Sequence, residues 1–118
     1  MGAMSGASGM TLHEEAPVPV RAVVDAADRG EAAAFAAAFT PDALLVVAGR
    51  QARGRDAIAQ LARSGPSSAR FELQSVTAGA TEQDVVAMIL MTGDGAVRTV
   101  TGRFTLRGDE VARLEITT

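Results

Sequence analysis

Every helix signal in this chain lies before Ser64, and almost everything from Ala69 to Thr117 reads as strand separated by short glycine turns. That segregation constrains the fold more than any other feature. Helices gathered in one half and a strand meander in the other predict an α+β domain, not a doubly wound parallel sheet. In the β half, Ala69 to Ala78 alternates, with Phe71, Leu73 and Ser75 on one face and Arg70, Glu72 and Gln74 on the other. Asp84 to Thr92 is apolar on both faces, so something must cover each of them. Gly93-Asp94-Gly95 predicts a tight hairpin turn. Ala96 to Arg107 places Val100, Phe104 and Leu106 opposite Thr99, Thr101, Arg103 and Thr105. After the Gly108-Asp109 turn, Val111 to Thr117 has Leu114 and Ile116 inward and Arg113 and Glu115 outward.

The first half supplies three helices and a short hairpin. Val20, Val23, Val24 and Ala27 share one helical face, Arg21, Asp25 and Asp28 the other, and Gly30 provides the left-handed stop. Glu31 to Phe39 is an alanine-rich second helix anchored by Phe35 and Phe39, ended by Thr40-Pro41-Asp42 because proline disfavours helix just before it. Ala43 to Ala48 reads as a strand, with Gln51-Ala52-Arg53 as its return. Gly54 then opens a third helix with Ala57, Ile58 and Leu61 on its buried stripe and Asp56 in its first turn.

Composition narrows the function classes. The chain has no cysteine, which removes disulfides, thiolate metal sites and a thiol nucleophile, and no metal or cofactor is expected. Its net charge of -3 lacks the basic excess of a general nucleic-acid binder, and no apolar run is long enough to span a bilayer. All 11 basic residues are arginine, which reads as a GC-rich bacterial genome. Residues 1–16 have the small, polar character of a disordered vector remnant and tail, leaving 17–118 as one domain with a cytoplasmic location by default.

Three motifs in this order resemble the nuclear-transport-factor-2-like superfamily, in its SnoaL-like branch. Asp25 to Phe35 is similar to the opening "A-x-x-x-G-D-x-x-x-F", Phe39-Thr40-Pro41-Asp42-Ala43 to "F-x-x-D-A", and Gly54 to Ile58 to "G-x-x-A-I". The resemblance implies a cone in which a curved, mixed or antiparallel sheet wraps around helices and leaves an apolar cavity. It also implies a homodimer through the outer sheet face, which would cover the second apolar face of the fourth strand. Relatives include ketosteroid isomerases, polyketide cyclases, a scytalone dehydratase and limonene epoxide hydrolase, and others bind without catalysis.

The family's acid–base groups do not carry over. An isomerase's base falls at Val47, its tyrosine at Val23 and its second acid near Gly102. The epoxide hydrolase set falls at inward positions Met88, Leu90 and Ile116, and a dehydratase histidine at Phe71. The sole histidine, His13, lies in the tail, and Ser75, Thr92 and Thr99 have no visible base partner. Arg50, Gln51 and Arg53 sit where they could rim the cone mouth. The expected ligand lining is therefore apolar: Val23, Phe35, Phe39, Val47, Phe71, Met88, Leu90, Val100, Phe104, Leu114 and Ile116. Two functions fit: a binder of a small hydrophobic molecule, of the polyketide-cyclase or isomerase kind, or a non-catalytic dimerisation or partner-binding module whose pocket is filled.

Overall fold

The first helix, α1 (Val18–Arg29), begins after Pro17 with Pro19 in its first turn, where a missing N–H costs nothing. It ends at Gly30, whose φ of 69° lets its own N–H and the next turn back onto the helix carbonyls. Val20, Val23 and Val24 on one face are buried, as the periodicity predicts. The computed structural model describes residues 16–64, 69–93 and 95–117. The expected tail, His13 within it, and Asp94 of the hairpin turn lie outside the described residues, whereas Ala16 is buried in the core.

Next come α2 (Ala32–Ala37), β1 (Phe39–Val47), β2 (Arg50–Arg53) and α3 (Arg55–Arg63). They are followed by β3 (Arg70–Ala78), β4 (Asp84–Gly93), β5 (Ala96–Arg107) and β6 (Glu110–Thr117). The α+β class and the cone are as expected. One curved six-stranded sheet, order β2-β1-β6-β5-β4-β3, is antiparallel except for the parallel β1–β6 pair. All three helices pack on its concave side around a single apolar core.

Two boundaries differ from expectation for a physical reason. Phe39 opens β1 instead of closing α2: it pairs with Val111, whose N–H donates to the Ala38 carbonyl at 2.9 Å. Tertiary pairing thus overrides the helix propensity of the alanines. Thr40, Pro41 and Asp42 then fall in an irregular part of β1, where the register to β6 shifts between Phe39 and Leu44. Proline cannot donate to a ladder and is confined to such irregularities and edges.

In β3 the register to β4 shifts between Leu73 and Ser75, a bulge that leaves Gln74 unpaired. Phe71 and Leu73 face the core as predicted, but the extra residue turns Ser75 to the convex face beside Met88, and Val76 resumes the inner row.

The candidate cone site

The inner face of the sheet is built in rows set by strand register. One row runs Ala52, Leu45, Leu114, Phe104, Val85, Ala78; the next runs Val47, Ile116, Gly102, Ala87, Val76. Leu45, Phe104 and Leu114 are almost fully buried, as are Phe39 at the start of β1 and Val20, Val23 and Ile58 on the helices, all in the same core. Phe35 on α2 tilts onto Phe39 with ring centroids 5.3 Å apart, a geometry that suits two aromatic quadrupoles.

Val23, Phe39, Val100, Phe104 and Leu114 are buried in this core, and Phe35, Val47, Phe71 and Ile116 are half-buried against it. Met88 and Leu90 are not among them, which corrects the expectation that they point inward. Met88 pairs with Thr101 and Ser75, and Leu90 with Thr99 and Glu72, all on the convex face; Val85, Ala87 and Ile89 take the inner positions. The Thr101 hydroxyl donates to the Met88 sulfur at 3.4 Å.

Gly102 shows how full the interior is. A β-carbon there would stand 3.0 Å from the Phe104 ring and 3.5 Å from the terminal methyls of both Ile89 and Ile116. A β-carbon at Gly102 would therefore press on the Phe104 ring and be in ordinary contact with the two isoleucines. Two open concavities among the described residues lie elsewhere. One, of about 240 Å³, is lined by Asp28, Arg70, Phe71, Glu72, Leu90 and Thr92 at the edge strand β3. The other, of about 320 Å³, lies between the β3–β4 turn and the β5–β6 hairpin, against Gln83, Thr105 and Arg107.

The charged residues that matter hold the cone's edges. Asp28, near the end of α1, accepts hydrogen bonds from Arg70 Nε at 2.8 Å and Nη2 at 3.1 Å, and from the Phe71 N–H at 2.9 Å. Those donors, Arg70 first, keep its carboxyl below the usual carboxylate range. The sequence shows Asp28 only as a helix-surface charge, because its partners lie more than forty residues away on β3. Arg55, at the start of α3, donates Nε to the Phe39 carbonyl at 2.9 Å and pairs with Glu110 at 2.8 Å. It thereby ties α3 to the first turns of β1 and β6. Arg50, Gln51 and Arg53 are exposed on β2, and Arg53 donates to the Asp42 carbonyl at 3.0 Å. No cluster of three or more His, Cys, Asp or Glu able to hold a metal occurs among the described residues. No helix among them is long and apolar enough to cross a membrane.

Solved structures share this architecture. A candidate polyketide cyclase from Sinorhizobium meliloti superposes with a TM-score of 0.80 at 23% identity, covering 91% of this chain and all (100%) of that one. A ketosteroid-isomerase-like protein from Catenulispora acidiphila, in complex with trimethylamine, gives 0.75 at 15% identity over 86% and 85%. A Sphaerobacter thermophilus protein gives 0.69 at 24% identity over 84% and 91%. At these identities the likeness is one of fold. No functionally curated protein matches the chain. The SnoaL-like domain model matches residues 20–115, from the first buried valine of α1 to Glu115 near the end of β6, and the chain belongs to the SnoaL-like family of the nuclear-transport-factor-2-like fold.

Proposed function

We propose that this SnoaL-like protein is a non-catalytic binding module whose cone is closed by its own side chains and which acts through its convex sheet face, first of all by forming a homodimer. The observation that supports this reading is the crowding at Gly102, where a β-carbon would stand 3.0 Å from the Phe104 ring and 3.5 Å from Ile89 and Ile116. A filled cone leaves no room to hold a substrate, and its apolar lining offers no group to transfer a proton. The convex face supports the second half of the reading. Leu44, Val46, Val86, Met88 and Leu90 are only half-buried there, along two strands of one sheet.

A second reading has its own support. Phe35, Val47, Phe71 and Ile116 are half-buried apolar side chains packed against the core, and one relative is a candidate polyketide cyclase. On this reading a small hydrophobic molecule parts these side chains and is folded by the cone's shape, with little acid–base help.

Thermal-shift measurements over a panel of flat aromatic and aliphatic ligands separate the two. The filled cone gives no saturable rise in melting temperature, whereas a binder is stabilised in proportion to the logarithm of ligand excess. A saturable rise for any apolar ligand overturns the first reading and establishes the second.

A further inference from the structure

The polarity of β5 reverses at its first residues. Further along, Val100, Phe104 and Leu106 face the core while Thr99, Thr101 and Arg103 face out. Before Thr99 the pattern inverts: Val97 turns outward and is 64% exposed, while Arg98, two residues from buried Val100, stands on the concave side. Its register partner Met91, and Met91's own partner Phe71, place it there too, because directly opposed residues of antiparallel strands share a face. A plain solvated strand end would carry the valine inward and the arginine outward.

The place of this arginine matters as much as its direction. Leu73, Ile89 and Val100 form the last buried row of the core at this end of the sheet. Phe71, Met91 and Arg98 form the next row, the first two half-buried and the third exposed. Among the described residues β6 reaches only to Thr117, which pairs with Thr101, and β1 ends at Val47. The row therefore lies on a shelf of β3, β4 and β5 that projects past the packed interior, apolar on two strands and cationic on the third. The Arg98 guanidinium forms no hydrogen bond or ion pair among the described residues. Among the other register-paired positions of the concave face only Arg50, beside Val47 on the short edge strand β2, is charged.

We propose that this shelf binds a small aromatic monocarboxylate, with the carboxylate on Arg98 and the flat apolar body over Met91 and Phe71. The site stands outside the packed interior, so it does not depend on whether the cone is filled. A guanidinium presents a planar fork of N–H donors that matches a carboxylate with two parallel hydrogen bonds. A thioether and a phenyl ring give an aromatic body a polarisable floor. The single free cation sets the ligand's charge. One negative charge is matched, whereas the second charge of a phosphate monoester finds no partner, because Arg50 lies three strands across the sheet and two inner rows away.

The probes are 2-naphthoate, its neutral isostere 2-naphthamide and 2-naphthyl phosphate, titrated into the isotope-labelled chain and followed by NMR. The naphthoate should bind saturably and shift the amides of Phe71, Met91 and Arg98 most. It should bind about 5-fold more tightly than the amide, the upper range for a solvent-exposed ion pair, and added salt should erase most of that preference. The phosphate should gain nothing over the carboxylate. Arg98→Gln changes an exposed side chain and leaves the core intact, and it should bring the naphthoate down to the amide's affinity. R98K should keep part of the preference, since the charge stays and the fork is lost, and R50Q should stay within about 2-fold of the wild type, less than a matched exposed pair contributes. The neutral amide keeps the interior a separate question: shifts centred on Gly102 with acid and amide alike would place the ligand in the cone and overturn the shelf. Equal affinity for acid and amide, a tighter phosphate, an R98Q variant that still prefers the acid, or no saturable naphthoate binding would each overturn it as well.

Discussion

Phe104→Ala probes the filled cone most sharply. Phe104 is 1% exposed and lies between Val85 and Leu114 in the row over Leu45. Its ring edge is also the nearest atom to the β-carbon that Gly102 lacks. Truncating a buried phenylalanine to alanine costs about 3–5 kcal/mol, and the upper part of that range applies where neighbours cannot collapse into the space. Here they cannot collapse easily: Gly102 contributes no side chain, and Leu114 and Val85 are fixed by their own ladders. A domain of this size has about 5–15 kcal/mol of stability in total, so the variant should fold but unfold at much lower urea. The hole it leaves is dry and apolar, the kind of cavity that takes up benzene-sized ligands.

The expected result is therefore double. Urea titration should show a loss of about 3–5 kcal/mol, and benzene or indole should raise the melting temperature of F104A but not of the wild type. Should F104A prove too unstable to purify, Phe104→Leu, costing about 1–2 kcal/mol by the same cavity argument, reports the same trend. A loss below about 1 kcal/mol for F104A would refute the reasoning, because only a ring with empty space beside it can be removed so cheaply.

Asp28→Ala should destabilise by about 1–2 kcal/mol through loss of the Phe71 N–H bond and the Arg70 pair, the latter discounted because Arg70 is largely exposed. Since the folded carboxyl of Asp28 lies below its ordinary value of 3.8, its contribution is present above that pH and is lost as pH falls through the folded value. The stability difference between wild type and D28A, followed by urea unfolding, should thus be constant from pH 5 to 7 (a window of roughly two units, set well above 3.8) and shrink in acid. Gly30→Ala should cost about 1 kcal/mol or slightly more, because φ is 69° there and nothing else crowds the site. Arg55→Met keeps the stem but removes the bonds to Phe39 and Glu110, and a loss of about 1–2 kcal/mol on chemical denaturation is expected.

Most of the fold was legible because its signals were periodic and locally terminated. The valines of α1, the glycine after it, and the alternation of β5 each carried a phase that the structure keeps. The fourth strand carried none. Val85 to Met91 is apolar at every position, so the pattern alone cannot say which set faces the core. Pairing decides it: Phe104 sets Val85 inward, and Val100 sets Ile89 inward, which sends Met88 and Leu90 to the convex side. A one-residue change of phase exchanges the two faces completely, and the bulge at Gln74 does so again within β3.

The site was legible to the extent that it is apolar. Val23 and Val47 pack against the core and Gly102 lies in the inner row, the side on which the sequence reading placed them. The sequence leaves an open and a filled pocket as two alternatives, since the outcome depends on which side chains converge across β4, β5 and β6. The role of Asp28 was not legible, because its partners are distant in sequence and its own neighbourhood looks like any helix end.

A crystal of the wild-type protein pressurised with xenon tests the central claim directly. Xenon enters apolar voids of atomic size and reports their position by its scattering. A filled cone predicts no xenon between α1, α2 and the inner face of the sheet. An ordered xenon atom bounded by Phe35, Val47, Gly102 and Ile116 would contradict it, and would make the cone a ligand site after all.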